Sequence, residues 1–342
     1  MNILSNSSYP FITFIIVAYN EEDYIGNLLN EYYHQDYPAL LRELIIVDGD
    51  SQDDTKKIAQ DFAQAHPELA ITILDNPKRI QAPGINIALR AARGEIVCRV
   101  EAHVAISPDY ISKGARLLNE KRNNGVACVG GPWQTVGKGF WGRAIAAVLS
   151  TPFGVGNAKY RYSKAAGFFD TVPCGFFWKW VFDEVGLYRE DLIRSEDNEL
   201  HARVRAQGWK FYLSPELVTK YFCRSTIRGF LQQAFGNGYW VLITWRQSSW
   251  RHLIPFAFVG ALIVFGFGSL LWEPFYYIFW IISSVYLLSS LSVSAVITLR
   301  EKEWLWIFTL PFLFILLHMS YGIGSCWALL SSFFKKSVSL FK

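Results

Sequence analysis

The sequence predicts an α/β domain built on a mostly parallel sheet flanked by helices, followed by an α-helical transmembrane region. Three observations predict this. Short β-branched runs alternate with helical patterns four times in about a hundred residues, the pattern of parallel strands joined by right-handed crossovers. Acidic residues crowd the ends of those runs. Beyond residue 252 come three apolar stretches, each near or above the roughly 20 residues that span a bilayer core.

The elements follow in order. Residues 11–19 (FITFIIVAY) form a continuous apolar run, as expected of a strand covered on both faces. Residues 21–33 place Ile25, Leu28 and Leu29 on one helical face. Residues 41–47 are a second strand ending at Asp48, and 55–65 a helix with Ile58, Ala59 and Phe62 inward. Residues 69–74 are a short strand, 84–92 a helix with Ile85, Ala88 and Leu89 apolar, and 95–100 a fourth strand. Residues 140–149 (FWGRAIAAVL) read either as an interfacial helix lying on a membrane or as an ordinary core-facing helix. Residues 182–187 and 196–207 bracket a loop with a further acidic cluster. The soluble domain is expected to span 1–245 and the transmembrane region 253–332.

The apolar stretches are 253–272, 275–299 and 304 to about 332. Trp240, Trp245 and Trp250, with Arg246, Arg251 and His252 among them, form the belt expected where a chain enters a bilayer. The third stretch holds Pro311, His318, Gly322 and Gly324. It reads as one tilted crossing or as a re-entrant pair of short helices. A single crossing leaves Lys335 and Lys336 on the outer side.

Composition excludes several classes. The net charge of +4 has no long run of one sign, which argues against a nucleic-acid binder. It suits basic residues gathered near an anionic membrane face. Five cysteines without a CxxC pair argue against a disulfide framework, a zinc site or a redox motif, and lead to the expectation that the soluble part faces a reducing cytoplasm. The opening MNILSNSSYPF has no signal-peptide pattern, so the soluble part is expected to stay on the side where it is made.

The turn after the first strand is Tyr19-Asn20-Glu21-Glu22, with no GxGxxG, which argues against a nicotinamide oxidoreductase. Glu21, Asp48, Asp50, Asp53 and Glu101 stand at strand ends instead. Open sheets bind ligands there. A carboxylate-rich edge suits a divalent cation and the phosphates it neutralises. These acids also read as turn and cap residues, Asp53 in particular. In the triplet Glu101-Ala102-His103 the spacing puts both outer side chains on one side of an extended segment.

The ordered motifs VAYNEE (17–22), VDGDSQDDT (47–55), RVEAHV (99–104), DTVPCGFF (170–177) and RSEDNEL (194–200) resemble those of family 2 glycosyltransferases of the GT-A fold. Within that family the chain is most similar to membrane-anchored bacterial enzymes of succinoglycan and capsule assembly. The resemblance covers roughly residues 10–245, and the membrane tail fits it. It implies nucleotide-sugar binding by Ala18, Tyr19, Glu21, Asp48, Asp50, Lys78, Arg79, Asn86 and Glu101. Gly49 stands where many relatives have a second Asp. The EAH triplet stands where relatives carry DxD, which implies a divalent cation held by His103 and Glu101. An imidazole ligand favours Mn²⁺ over Mg²⁺. The resemblance further implies acceptor contacts from Asp170, Gly175, Glu196 and Trp240, and a catalytic base at Asp197. Processive relatives carry QxxRW near residue 240; here that motif is missing, and Arg224 and Arg228 are the substitutes expected on the diphosphate.

Together these imply an inverting glycosyltransferase moving a sugar from a UDP-sugar to an undecaprenyl-diphosphate-linked saccharide in exopolysaccharide or capsule assembly. It would sit in the bacterial inner membrane with its catalytic domain in the cytoplasm. Its partners would be donor, lipid-linked acceptor and membrane lipid, with a homo-oligomer or a biosynthetic complex also open. The alternatives are a processive polysaccharide synthase and a catalytically dead membrane interaction protein.

Overall fold

The computed structural model describes residues 9–247 and 250–340, with side chains through 332. Residues 1–8, read for a signal peptide, and the side chains of Lys335 and Lys336, weighed for topology, lie outside the described residues.

The elements are β1 (Ile12–Ala18), α1 (Glu22–Tyr33), β2 (Arg42–Asp48), α2 (Thr55–Ala65), β3 (Ala70–Asp75), α3 (Gln81–Ala91), β4 (Ile96–Glu101) and β5 (Val104–Ala105). Then come α4 (Tyr110–Glu120), β6 (Val126–Gly130), β7 (Trp133–Val136), α5 (Gly139–Leu149), α6 (Pro152–Val155), β8 (Gly167–Phe169), β9 (Phe176–Trp178) and α7 (Trp180–Val185). The chain ends with α8 (Glu196–Ala206), β10 (Lys210–Leu213), β11 (Thr219–Phe222), α9 (Ile227–Ile243), α10 (Ile254–Gly268), α11 (Glu273–Glu301) and α12 (Trp306–Leu340).

An eight-stranded sheet runs β3-β2-β1-β4-β9-β6-β10-β8. Strands β3, β2, β1 and β4 are parallel neighbours, as are β6 and β10. Strand β9 is antiparallel to both β4 and β6, and β8 is antiparallel to β10. A second sheet has the order β5-β11-β7. The buried faces of β1 and β2 explain their continuous apolar runs. Helix α3 starts at Gln81, three residues before the expected start, because Pro83 falls in its first turn where a proline is tolerated. Gly84 is needed there: a Cβ would stand 2.7 Å from Val17 Cγ1.

By compactness the chain divides into two units, residues 1–134 with 163–221 and residues 135–162 with 222–342. The division differs from a single break near 245. It assigns α5 and α9 to the unit of the long apolar helices. Within that unit α5 packs on α12; it buries Ala144, Ile145, Val148 and Leu149 and leaves Trp141 and Arg143 exposed.

Three helical segments are long and apolar enough to cross a membrane: Trp250–Gly268, Glu273–Glu301 and Trp306–Ser332. The third is one continuous helix, with Pro311 inside it. Its glycines serve close approach. A Cβ on Gly324 would stand 2.1 Å from the Phe235 carbonyl oxygen in α9, and one on Gly238 would stand 1.9 Å from that of Tyr321. His318 is satisfied in place: Nε2 donates to the Phe153 carbonyl at 3.0 Å and Nδ1 accepts from the Tyr286 hydroxyl at 2.8 Å.

Gly238→Ala is therefore expected to force α9 from α12, at a cost of about 1–3 kcal/mol, and to lower the melting temperature in detergent. Gly260→Ala, where a Cβ meets open space, is the control. Equal melting temperatures for both variants would contradict the glycine contact.

Candidate active site

Parallel strands β1, β2 and β4 bring their carboxyl ends to one edge of the sheet, with Ala18 paired to Asp48 and Val17 to Glu101. The loops after β1 and β2 are bonded into one surface. Asn20 Oδ1 accepts from Gln52 N at 2.8 Å, and the amide of Glu21 donates to Thr55 Oγ1 at 2.7 Å. Gly49 N donates to the carbonyl of Ala18. Asp53 accepts from the amides of Thr55 and Glu22, so it acts as a turn and helix-start residue. Tyr19 is exposed at this edge.

Asp48 is buried. Its Oδ2 accepts from Ser51 N at 3.1 Å, while its Oδ1 has no partner. A buried carboxylate oxygen without a donor is costly, and this one stands at the end of a central strand.

Arg79 pairs with Asp50, and both adopt left-handed backbone, at φ 56° and 60°. Lys78 Nζ lies 2.6 Å from Glu190. Asn86, expected on the nucleotide, is engaged at both ends of its amide. Its Nδ2 donates to the Tyr188 carbonyl at 2.8 Å and to Glu190 at 3.0 Å, and its Oδ1 accepts from Tyr188 N at 2.9 Å. It pins the loop before α8 to α3.

The EAH triplet departs from its expected geometry. Glu101 ends β4, and Ala102 and His103 form a turn into β5. The two side chains take separate partners because the chain leaves the large sheet there for the small one. Glu101 accepts from Arg99 and, at 2.9 Å, from Gln81 Nε2. His103 Nδ1 lies 2.9 Å from Glu21 Oε1, and its ring meets Tyr221, itself stacked on Trp133 at 4.0 Å. An ionised carboxylate only accepts, so the ring donates to it from Nδ1. Metal-binding histidines are oriented in this way. Among the described residues no group of three or more His, Cys, Asp or Glu could hold a metal. A cation here would take His103 and complete its shell from substrate phosphates, a mode known for divalent ions. Glu101, with both oxygens engaged, fits such a ligand role poorly.

Arg99 is the residue that the sequence reading passed over. It is almost fully buried, and its Nη1 lies 2.8 Å from each oxygen of Asp197 while its Nη2 bonds Glu101. The signal was present: a lone arginine inside the apolar run IVCRV. A buried charge needs partners, and here they come from β4 and from α8.

Helix α8 opens at Ser195, in left-handed backbone with φ 65°. This turn buries Glu196 and points Asp197 at Arg99. Burial alone would raise the Asp197 carboxyl, but the Arg99 charge and a bond from Tyr188 hold it below the usual range. Burial, then the Asp197 charge, pushes Glu196 up to about 8. Burial takes His201 down to about 4, and its Nδ1 bonds Thr171 Oγ1 at 2.7 Å.

The remaining expected residues take other partners or belong to the other unit. Asp170 follows the edge strand β8, and its carbonyl accepts from Arg205. Gly175 is a packing residue: its carbonyl accepts from Arg99 N, and a Cβ would stand 2.4 Å from Cys128 Sγ. Arg224, Arg228 and Trp240 belong to the second compact unit.

Such a sheet, with its acids at the carboxyl edge, is that of a GT-A-type glycosyltransferase. Residues 13–185, just over half of the chain, match the model for glycosyl transferase family 2, and the chain belongs to that family. It is an enzyme of the transferase class. Over 326 residues it is 27% identical to a dolichyl N-acetyl-alpha-D-glucosaminyl phosphate 3-beta-D-2,3-diacetamido-2,3-dideoxy-beta-D-glucuronosyltransferase of Methanococcus voltae, covering 91% of this chain and 95% of that protein. It is 28% identical over 226 residues to the succinoglycan biosynthesis protein ExoA of Rhizobium meliloti, covering 66% and 67%. A mannosyltransferase from Pyrobaculum calidifontis, solved with GDP-Man and Mn²⁺, has the same fold at TM-score 0.61 and 19% identity, covering 94% of this chain and 88% of that one.

The raised Glu196 gives a stability prediction. Its carboxyl titrates near 4.3 when unfolded and at about 8 when folded. The folded state therefore holds the extra proton between these values, and stability falls as pH rises across that window. Glu196→Gln is expected to melt several degrees above the parent at pH about 8.5 and level with it near pH 4, by calorimetry. A constant difference across pH would contradict the assignment.

Proposed function

We propose that the chain transfers one sugar from a UDP-sugar to a polyprenyl-linked saccharide in the membrane, inverting the anomeric carbon to give a β-linkage. The observation that carries this reading is Asp197, kept ionised by buried Arg99 at the head of α8. Inverting transfer needs a carboxylate to take the acceptor hydroxyl proton while that oxygen attacks C1. The bond from C1 to the diphosphate breaks as the new one forms, UDP leaves with the electron pair, and the proton ends on Asp197. Arg99 lowers the strength of this base, but it fixes its charge and direction.

Asp48 Oδ1 suits a donor N–H of the uracil ring. Tyr19, Glu21 and the Asp50–Arg79 pair border that place in the chain and would frame base and ribose, with Lys78 and Arg79 as sources of charge for phosphate. A divalent cation, with Mn²⁺ favoured by an imidazole ligand, would be held by His103 and would neutralise the leaving diphosphate. Glu21 would then fix the His103 ring. The resemblance further proposes Arg224 and Arg228 for the leaving diphosphate and Trp240 for the acceptor sugar.

The lipid-linked acceptor is supported by the name of the Methanococcus relative and by three helices fit to cross a membrane. Undecaprenyl diphosphate is the carrier proposed, in exopolysaccharide or capsule assembly, with the first compact unit on the cytoplasmic side of the inner membrane.

The test is UDP release and product size with a polyprenyl-linked acceptor and Mn²⁺. One addition is expected; a ladder would indicate a processive synthase, and no turnover a dead domain. Asp197→Asn should lower kcat by about 10²–10⁴-fold with UDP affinity within about twofold. Arg99→Lys should keep measurable activity. Arg99→Met should free the Asp197 carboxyl to rise and move the acidic limb of kcat to higher pH; an unmoved limb would contradict their pairing. His103→Ala should erase the effect of Mn²⁺ on UDP affinity measured by calorimetry, and an unchanged effect would remove it as a ligand.

A further inference from the structure

Charge is segregated along this chain. The unit of residues 1–134 and 163–221 has 20 basic and 26 acidic residues, a formal charge of −6. The unit of residues 135–162 and 222–342 has 13 basic and 3 acidic residues, a formal charge of +10.

Inside the second unit the cations are segregated again. Residues 252–299 and 303–334 contain no Lys or Arg. The ten basic residues before Lys335 fall in 138–161, 224–251 and 300–302. Hydrogen bonds gather these segments. Arg143 bonds Glu303 at 2.6 Å, tying α5 to the α11–α12 connection. Arg251 bonds Asn157 at 3.2 Å, tying the entry to α10 to the segment after α6. The amide of Lys138 bonds Ser225 Oγ at 3.0 Å, tying the start of α5 to the approach to α9. The α10–α11 turn, at the opposite end of those two helices, offers only Glu273 as a charge.

The cationic end also carries exposed indoles. Trp245 is 53% and Trp250 69% exposed. Arg246 lies over the ring of Trp245 and Arg251 over that of Trp250, at 5.5 and 5.6 Å. Indoles seek the headgroup level of a bilayer, and guanidinium groups seek its phosphates.

We propose that this end of the helical unit binds the phosphodiester headgroups of anionic phospholipids in the leaflet it meets. The occupant is bulk anionic lipid rather than the saccharide acceptor. Each Lys or Arg near such a surface contributes about 1 kcal/mol, so ten of them against Glu301 and Glu303 give a selectivity that neutral lipid lacks. The proposal stands on charge placement and is independent of Asp197.

The experiment uses the full chain reconstituted in phosphatidylcholine bilayers, with spin-labelled phosphatidylglycerol or phosphatidylcholine as probe. Electron paramagnetic resonance reads the fraction of each probe immobilised by the protein. At low salt the anionic probe is expected to be favoured by about threefold or more, with the preference nearly lost at about 1 M salt, where the Debye length is about 3 Å. The variant Arg143→Gln/Lys159→Gln/Arg246→Gln/Arg251→Gln should lose most of it. The variant Arg143→Lys/Arg246→Lys/Arg251→Lys should keep it, which separates charge from packing. Equal immobilisation of both probes by the parent chain, or an undiminished preference in the four-Gln variant, would overturn the proposal. So would loss of the preference on adding one equivalent of a polyprenyl diphosphate, which would mark a single acceptor site.

Discussion

The buried guanidinium of Arg99 is the interaction on which the active edge depends. It sits on a central strand, nearly out of water, and bonds a carboxylate on each side. Neither acid would be comfortable there alone. Removing one partner of a buried pair typically costs about 3–5 kcal/mol, because the remaining charge is left uncompensated. Arg99 thus fastens α8 to the sheet and fixes the protonation pattern around it. Asp197 stays charged, and Glu196 beside it is pushed towards its neutral form. Two adjacent carboxyls are separated in role by which of them the arginine reaches.

Around that pair the backbone is held in unfavourable conformations. Asn20, Asp50, Arg79, Cys174 and Ser195 all have positive φ without being glycine. Such residues cost about 1–3 kcal/mol each and persist only where their surroundings over-determine them. Here the surroundings can be named. Asn20 is bonded to the Ser51–Gln52 turn, Asp50 and Arg79 hold each other, and Cys174 gives its carbonyl to Tyr110. Ser195 must turn sharply for Asp197 to face Arg99. The strain is confined to loops and supported by a sheet whose first four parallel strands are regular.

That regularity explains what could be read from the sequence. Strands β1 and β2 were located within a residue or so because a strand buried on both faces needs a long apolar run, and the half-exposed β3 because a short β-rich run stands between two helical patterns. The acids at their ends were visible for the same reason. The partners were not visible. Arg99 and Asp197 are 98 residues apart, and sequence periodicity reports the face of an element, never its neighbour. The inserted antiparallel strand β9 and the turn within EAH were missed because both are short and set by sheet-to-sheet geometry. The partners of Asn86 were hidden too, because a polar residue on a helix beside a ligand edge looks the same whether it faces a ligand or a loop. In the third apolar stretch the glycines left a re-entrant pair open beside a single tilted crossing. In the structure they are contacts, since a helix between close neighbours needs small residues more than it needs propensity.

Charge segregation bears on the same economy of contacts. A unit that gathers acids at a ligand edge carries a formal −6, and an anionic leaflet repels such a unit over about a Debye length. If the acceptor lives in that leaflet, the repulsion opposes the encounter that the enzyme requires. The opposing +10 on the helical unit more than offsets it and leaves the chain at +4. Moving those cations to the catalytic unit would not be equivalent, because they would compete with Arg99 for Asp197 and Glu101. Under the proposed lipid binding, keeping them on the helical unit would attract the membrane while Asp197 and Glu101 stay paired with one buried arginine.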